Sequence, residues 1–411
     1  MKDAVTSDRL TAQAPKERAA SEVESRRDRL VELSHAIHAD PELSWDEHHA
    51  ASHVADVLAE AGFAVTRAAY GVPTAIEATM GDGDLTVALC AEYDALPGIG
   101  HACGHNVIAA AGVGAALALA PLADASGLRI KLLGTPAEEH GGGKVALLKA
   151  GAFEDADFSM MVHGMTGTDA SATSFRSTAV DRFEVTFGGR TAHAAGAPQL
   201  GINAASGATL ALTALGLLRQ HLPAGVNMNA FVSEGGQATN IIPDRAVVQM
   251  ELRALEVDVW RAMKKRVLAC FEGAAIATGC TWTWRPTEAP YAPLLHDAGL
   301  AERWDANLTA RGRTITQPAF GSGGSTDMGN VSQVLPAIHP MIAFLGEEGV
   351  PHNPEFTAAA ASPAADDAVV DGAVILAWTV LDAALDPELR ARLKASTAQR
   401  SPGATQVTLE G

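Results

Sequence analysis

Positive charge is scarce in this chain. Thirty lysines and arginines stand against 48 aspartates and glutamates, a formal net charge of −18. Such a surface repels a phosphate backbone, which argues against a nucleic-acid partner and suits a soluble protein that handles a cation. Long apolar runs are missing too. The longest uncharged apolar stretch, residues 107–123, falls short of the ~20 residues a membrane span needs. It reads as a buried core helix, so no membrane partner is expected. The N-terminus, MKDAVTSDRLTAQAPKERAASEVESRRDR, has no apolar core and does not read as a secretory signal. There are only four cysteines, Cys90, Cys103, Cys270 and Cys280, and no C-x-x-C pair. A disulfide framework is therefore not expected, and reduced thiols in a cytoplasm are.

What is present is globular: 47% hydrophobic and 19% charged residues in a chain of 411, too long for one core. Residues 1 to about 20 read as a loose tail and those after 396 as flexible. From residue 21 two helical patterns flank Pro41. Strand and helix then alternate, and the strand at residues 85–90 carries no charge, as expected of one buried on both faces. The stretch FSMMVHGM reads as one strand ending at His163. From residue 180 to 290 the order becomes β-α-β-β-α-β, and buried strand and helix resume after it. The reading is an α/β protein: a mainly parallel catalytic sheet with helices on both faces (residues 21–179 and 291–395), interrupted by a ferredoxin-like α+β lid (180–290).

Chemistry-bearing residues gather where strands end, the edge at which open α/β sheets bind ligands. Glu92-Tyr93-Asp94 leads into His101-Ala102-Cys103-Gly104-His105, which reads as a metal site, a catalytic thiol or a crowded loop. Cys103 and His105 suit a borderline-soft cation, and Gly104 lets the backbone bend between them. Glu138-Glu139 ends another apolar strand before three glycines; one carboxylate can bind metal while its neighbour holds a water, or the pair is an acidic turn. His163 and His352 follow, each a candidate ligand or a packed histidine. Ser325 and Thr326 sit in the polar loop 321–330, able to bind a substrate or simply a surface loop. In the inserted segment, His193 leaves a strand in a loop of small residues and could donate to an oxyanion. Asn240 lies between two strands, and Arg253 could hold a carboxylate in bidentate fashion.

Taken together, A-E-Y-D-A-L-P-G-I-G-H-A-C-G-H-N, P-A-E-E, H-G-M, G-G-R-T-A-H-A, T-N-I-I-P-D, G-S-T-D-M-G-N-V-S and H-N-P-E-F, in this order, resemble the M20 metallopeptidases. They are most similar to the amidohydrolase branch, with its aminobenzoyl-glutamate hydrolases and M20-domain dipeptidases. The resemblance implies that Cys103, His105, Glu139, His163 and His352 hold one or two divalent ions, Mn or Zn. It implies Glu138 as general base, Asp94 as the residue that orients a ligand, and His193 as oxyanion donor, in its own subunit or across a dimer. Asn240, Arg253, Ser325 and Thr326 would contact substrate, and the lid would build a homodimer or larger homo-oligomer. Two positions depart from the family pattern: Glu92 stands where many members carry a histidine, and Asn106 where an Asp is common. The expected activity is hydrolysis of an amide in an N-acyl amino acid, an aminoacyl dipeptide or an aminobenzoyl-glutamate-like small molecule. An unusual aromatic amine or amide is the alternative substrate. A cysteine hydrolase and a non-catalytic metal-binding protein are the rival readings.

Overall fold

The computed structural model describes residues 2–316, 324–401, 403 and 404. The described residues form two compact units, one within Met1–Arg176, Leu294–Ser322 and Thr326–Gly411, the other within Ser177–Pro293 and Gly323–Ser325. In chain order the strands are β1 (Ala64–Arg67), β2 (Ile76–Met80), β3 (Leu85–Ala91), β4 (Leu128–Gly134), β5 (Phe158–Met160), β6 (His163–Gly167) and β7 (Asp169–Ala170). They continue as β8 (Ala179–Gly188), β9 (Asn227–Glu234), β10 (Arg245–Ala254), β11 (Thr281–Pro286), β12 (Ile315–Thr316), β13 (Ala337–Ile338) and β14 (Met341–Leu345).

The first unit is built on a six-stranded sheet of order β1-β2-β4-β3-β5-β13. Strands β4, β3, β5 and β13 run parallel, whereas β1 and β2 add an antiparallel edge. Every residue of β3 is buried. Its side chains alternate between two cores: Leu85, Val87, Leu89 and Ala91 belong to one, Ala88 and Cys90 to the other. That alternation is the period of two expected of a strand covered on both faces. The helix His105–Leu119 covers one face and is itself covered by Pro363–Leu385. Close approach explains its small residues: a Cβ at Gly114 would come within 2.7 Å of Ala373 Cβ and 2.9 Å of Leu30 Cδ1. The stretches His105–Ser126 and Pro363–Leu385 are apolar and long enough to cross a membrane, yet most of each is buried inside the protein.

Three expectations need correction. The N-terminal stretch is a helix, Lys2–Glu24, not a loose tail. Ala19 and Val23 enter the main core, and Lys16 pairs with Asp382 at 2.6 Å. At the other end, helix Pro387–Gln399 continues past Ser396, and Leu389 and Leu393 anchor it in the same core, while residues 402 and 405–411 of the expected tail lie outside the described residues. Finally, FSMMVHGM is two strands, and His163 opens β6 instead of ending the one before it.

The second unit runs β8, helix Ala204–Leu218, β9, β10, helix Val257–Thr278, β11, the expected β-α-β-β-α-β order. Its sheet is antiparallel, ordered β11-β8-β10-β9. The alternating burial of β8 and β10 faces the two helices, with Phe187 packed on Phe271 at 6.2 Å between ring centroids.

Candidate metal centre and active site

Strand β3 ends at Ala91 and delivers Glu92, Tyr93 and Asp94, all buried. Tyr93 Oη donates to the Thr74 carbonyl and fixes the turn. Both flanking carboxylates lie beside His105, the first residue of helix His105–Leu119. Asp94 Oδ1 is 3.0 Å from His105 Nδ1, and Glu92 Oε2 is 3.7 Å from His105 Nε2. Gly104 takes φ 73° just before the helix, a left-handed turn that suits glycine and carries the chain from Cys103 to His105.

The five expected ligands converge. Donor atoms of Cys103, His105 and His163 lie within 4.8 Å of one another, and so do those of Cys103, Glu139 and His352. The two groups share Cys103. A third group joins His105 to Glu138 and Glu139 within the same span. His352 is held at φ 70°, its N–H donating to the Ala102 carbonyl at 2.9 Å, and its Nε2 is 3.6 Å from Glu139 Oε2.

The donors fit a cation on three observations. First, His105 Nε2 is buried and has no hydrogen-bond partner among the described residues, while Nδ1 is engaged by Asp94. An imidazole tethered at one nitrogen and bare at the other is the usual state of a metal ligand. Second, three carboxylates, Glu92, Glu139 and Glu138, stand 3.7, 3.8 and 3.9 Å from that nitrogen. These gaps are too long for hydrogen bonds and within reach of donors each ~2.0–2.3 Å from a shared ion. Third, His163 Nδ1 lies 2.6 Å from the carbonyl of Gly164, which leaves its Nε2 as the bare nitrogen.

Electrostatics follow from burial and crowding. Burial alone would raise Asp94, but His105 and the hydrogen bonds from Glu139 N (2.9 Å) and Ser44 Oγ (2.8 Å) hold it down at about 2. Burial, then the charges of Glu92 and Glu139, pushes the Glu138 carboxyl well above the carboxylate range. The Cys103 thiol is raised by burial and by Glu139. Burial and the charge of His105 lower His163 to about 4, keeping it neutral.

Several residues that shape the site were not expected. Lys144 is fully buried; its ammonium pairs with Glu92 and, at 2.7 Å, with Asp327, whose other oxygen accepts the Lys144 N–H at 2.8 Å. Glu92 thus faces both an internal cation and the His105 cluster. His339 is buried beside His163, ring centroids 5.6 Å apart, and neither of its nitrogens has a hydrogen-bond partner among the described residues. Lys144 and Asp327 lie 183 residues apart, so no spacing pattern could pair them; a lysine opening an apolar helix was the one hint. Asn106 turns away from the donors, its Nδ2 donating to Ser34 Oγ at 2.9 Å and the Ala360 carbonyl at 2.8 Å.

Of the expected substrate contacts, Thr326 is buried and its Oγ1 accepts the Met328 N–H at 3.2 Å. Residues 321–323 of its loop lie outside the described residues. In the second unit, His193 is exposed, and its Nδ1 accepts the N–H of Gly196 at 2.9 Å. That bond puts the proton on Nε2, making it a donor. Asn240 stands next to it, its carbonyl accepting the Ala194 N–H at 3.0 Å. Arg253 does not join them. It pairs with Val180 at one end of the β8–β10 ladder, whereas the loop of His193 leaves the other end, where Gly188 faces Arg245. Eight residues of strand, roughly 26 Å, separate the two ends. Asn240 and Arg253 therefore lie toward opposite ends of that ladder within one protomer. Arg253 instead bonds Glu251 Oε1 at 2.7 Å and Ser325 Oγ at 3.1 Å.

The sequence profile of peptidase family M20/M25/M40 matches residues 88–380. The chain is 37% identical over 392 residues to Xaa-Arg dipeptidase of Mus musculus, covering 91% of this chain and 90% of the relative. It is 29% identical over 358 residues to N-acetyl-L-cysteine deacetylase of Bacillus subtilis, covering 80% of this chain and 83% of that one. Among solved structures, a dinuclear metal-binding peptidase of family M20 from Bacillus subtilis superposes with a TM-score of 0.66 at 21% identity, covering 87% of this chain and 99% of the other.

Proposed function

This chain belongs to peptidase family M20/M25/M40 and is a metal-dependent hydrolase of C–N bonds, and from that premise we propose that it cleaves the amide of a dipeptide or N-acyl amino acid at the Cys103–His105–Glu138 cluster. The observation that carries the reading is the pair of donor groups sharing Cys103, with Glu138 beside them. Two divalent ions, Mn or Zn, would be held by Cys103, His105, Glu139, His163 and His352. Bound there, they would supply a Lewis acid for the carbonyl and lower the pKa of a water.

The chain's own residues do the rest. Asp94 keeps His105 in one tautomer. Glu138 takes the attacking water's proton and passes it to the leaving nitrogen as the C–N bond breaks. His193 Nε2–H donates to the carbonyl oxygen as negative charge develops. Arg253 and Ser325 bind the substrate's carboxylate end. His193, with Asn240 beside it, would be supplied by a second subunit of a homodimer, as the family resemblance implies. The four unpaired thiols suit a cytoplasmic enzyme.

Among substrates, aminoacyl-arginine dipeptides come first, since a relative 37% identical over 91% of this chain and 90% of its own is named for them. The test is turnover by the Mn- and Zn-restored protein on aminoacyl-arginine dipeptides, N-acetyl amino acids and p-aminobenzoyl-glutamate, with Glu138→Gln alongside. The variant should keep its metal and lose ~10²- to 10⁴-fold in kcat. Near-full kcat in Glu138→Gln would remove Glu138 from the chemistry.

A further inference from the structure

Two non-glycine residues beside the site have left-handed backbones: Trp45 at φ 73° and Ala137 at φ 57°. They are far apart in sequence, yet both donate their N–H to the same oxygen, Glu47 Oε1, at 2.9 and 2.8 Å. Glu47 is fully buried. Ala137 is buried too, and its carbonyl accepts the N–H of Gly142 at 3.0 Å and of Gly143 at 3.2 Å. Hydrogen bonds thus hold both sides of the residue that immediately precedes Glu138. The Trp45 indole lies over the same loop: a Cβ added at Gly141 would fall 2.2 Å from its Nε1.

An alanine held at positive φ is strained, and a free chain returns to negative φ by about 5- to 30-fold. A change of φ at Ala137 would swing the peptide that follows and re-aim Glu138. We propose that Glu47 is a positioning residue for proton transfer: through the Ala137 N–H it holds the strained turn that aims Glu138 at the scissile amide. The inference rests on the reading of Glu138 as the proton carrier. It requires only an acceptor at Oε1, so an amide oxygen can replace the carboxylate.

The test uses the metal-loaded full chain and the dipeptide it turns over fastest. Glu47→Ala should lower kcat by ~10- to 100-fold, the scale of a misplaced catalytic group, with KM within about threefold and metal content unchanged. Glu47→Gln should stay within about threefold of wild type. Adding Ala137→Gly to Glu47→Ala should recover ~5-fold or more, because glycine visits positive φ as readily as negative. A packing role for Glu47 would not respond to glycine at position 137. Should Glu47→Ala not fold, Glu47→Asp, one methylene shorter, keeps a buried carboxyl but withdraws the acceptor, and the same loss and rescue are expected of it. Wild-type kcat in the shortened variants, equal damage in Glu47→Gln, or no rescue by Ala137→Gly each overturns the proposal. An inactive Glu138→Gln beside a fully active Glu47→Ala would sink this inference alone. An active Glu138→Gln would sink the reading on which it rests.

Discussion

Asp94 and His105 form a buried pair, Oδ1 to Nδ1 at 3.0 Å, that leaves the opposite nitrogen of the imidazole bare toward the donor cluster. The other oxygen of Asp94 accepts the backbone N–H of Glu139. One carboxylate therefore orients two of the proposed ligands.

Asp94→Asn should weaken metal affinity by ~10- to 100-fold, the usual cost of losing a partner behind a ligand. The check is metal content after dialysis against buffered Zn or Mn, with far-UV circular dichroism to show the fold retained. An unchanged dissociation constant would mean that Asp94 serves the fold and not the ions.

Cys103 belongs to both donor groups. Cys103→Ser replaces a thiolate ligand by a poorly ionised hydroxyl, so the metal should be lost from both positions together. Elemental analysis should fall toward zero ions per chain, and activity should return only at high added metal. If only one equivalent is lost, Cys103 serves a single ion. The same measurement separates the cysteine-hydrolase reading, which predicts full metal content, no turnover and indifference of the wild type to chelators.

Lys144 tests the buried charges. Its ammonium pairs with Glu92 and Asp327, and all three side chains are fully buried. Lys144→Met keeps most of the volume but strands two carboxylates, and a broken buried pair costs ~3–5 kcal/mol. Urea unfolding should move to clearly lower concentration. A second substitution, Asp327→Asn, should return part of the loss by removing one stranded charge. No shift in midpoint for Lys144→Met would show that water relieves these groups.

His193 and Arg253 should separate in kinetics as they do in space. His193→Ala should cut kcat by roughly 10²- to 10³-fold with metal content unchanged. Arg253→Ala should act mainly on KM if it grips the carboxylate equally in ground and transition states. Mixing the two variants should regenerate some wild-type sites if the histidine crosses between subunits. No recovery in mixed dimers would keep His193 within its own subunit.

The order of elements and the candidate donors were legible in the chain itself. Periodicity marked the uncharged strand β3 as buried on both faces, and its side chains do divide between two cores. The β-α-β-β-α-β run needed only local pattern. Cys103, His105, His163, His352 and the Glu138–Glu139 pair stood out as chemistry-bearing residues against apolar runs, and the resemblance to the M20 metallopeptidases implied which of them would be ligands. Local pattern misread the N-terminal helix, because its polar composition hides the few residues, Ala19 and Val23, that dock on the core.

What tertiary structure alone decided is everything that depends on which distant segments meet. Lys144 closes on Glu92 and Asp327 across 52 and 183 positions, and the Ala137 N–H reaches Glu47 across 90. The sharing of Cys103 by two donor groups is likewise bound by no periodic rule. The separation of His193 from Arg253 needed the register of β8 on β10. Periodicity reports which face of an element is apolar, since that is set by neighbours within a few residues. Pairing across the fold is set by how those faces pack, and a buried charge finds its partner only once the surrounding core has excluded water.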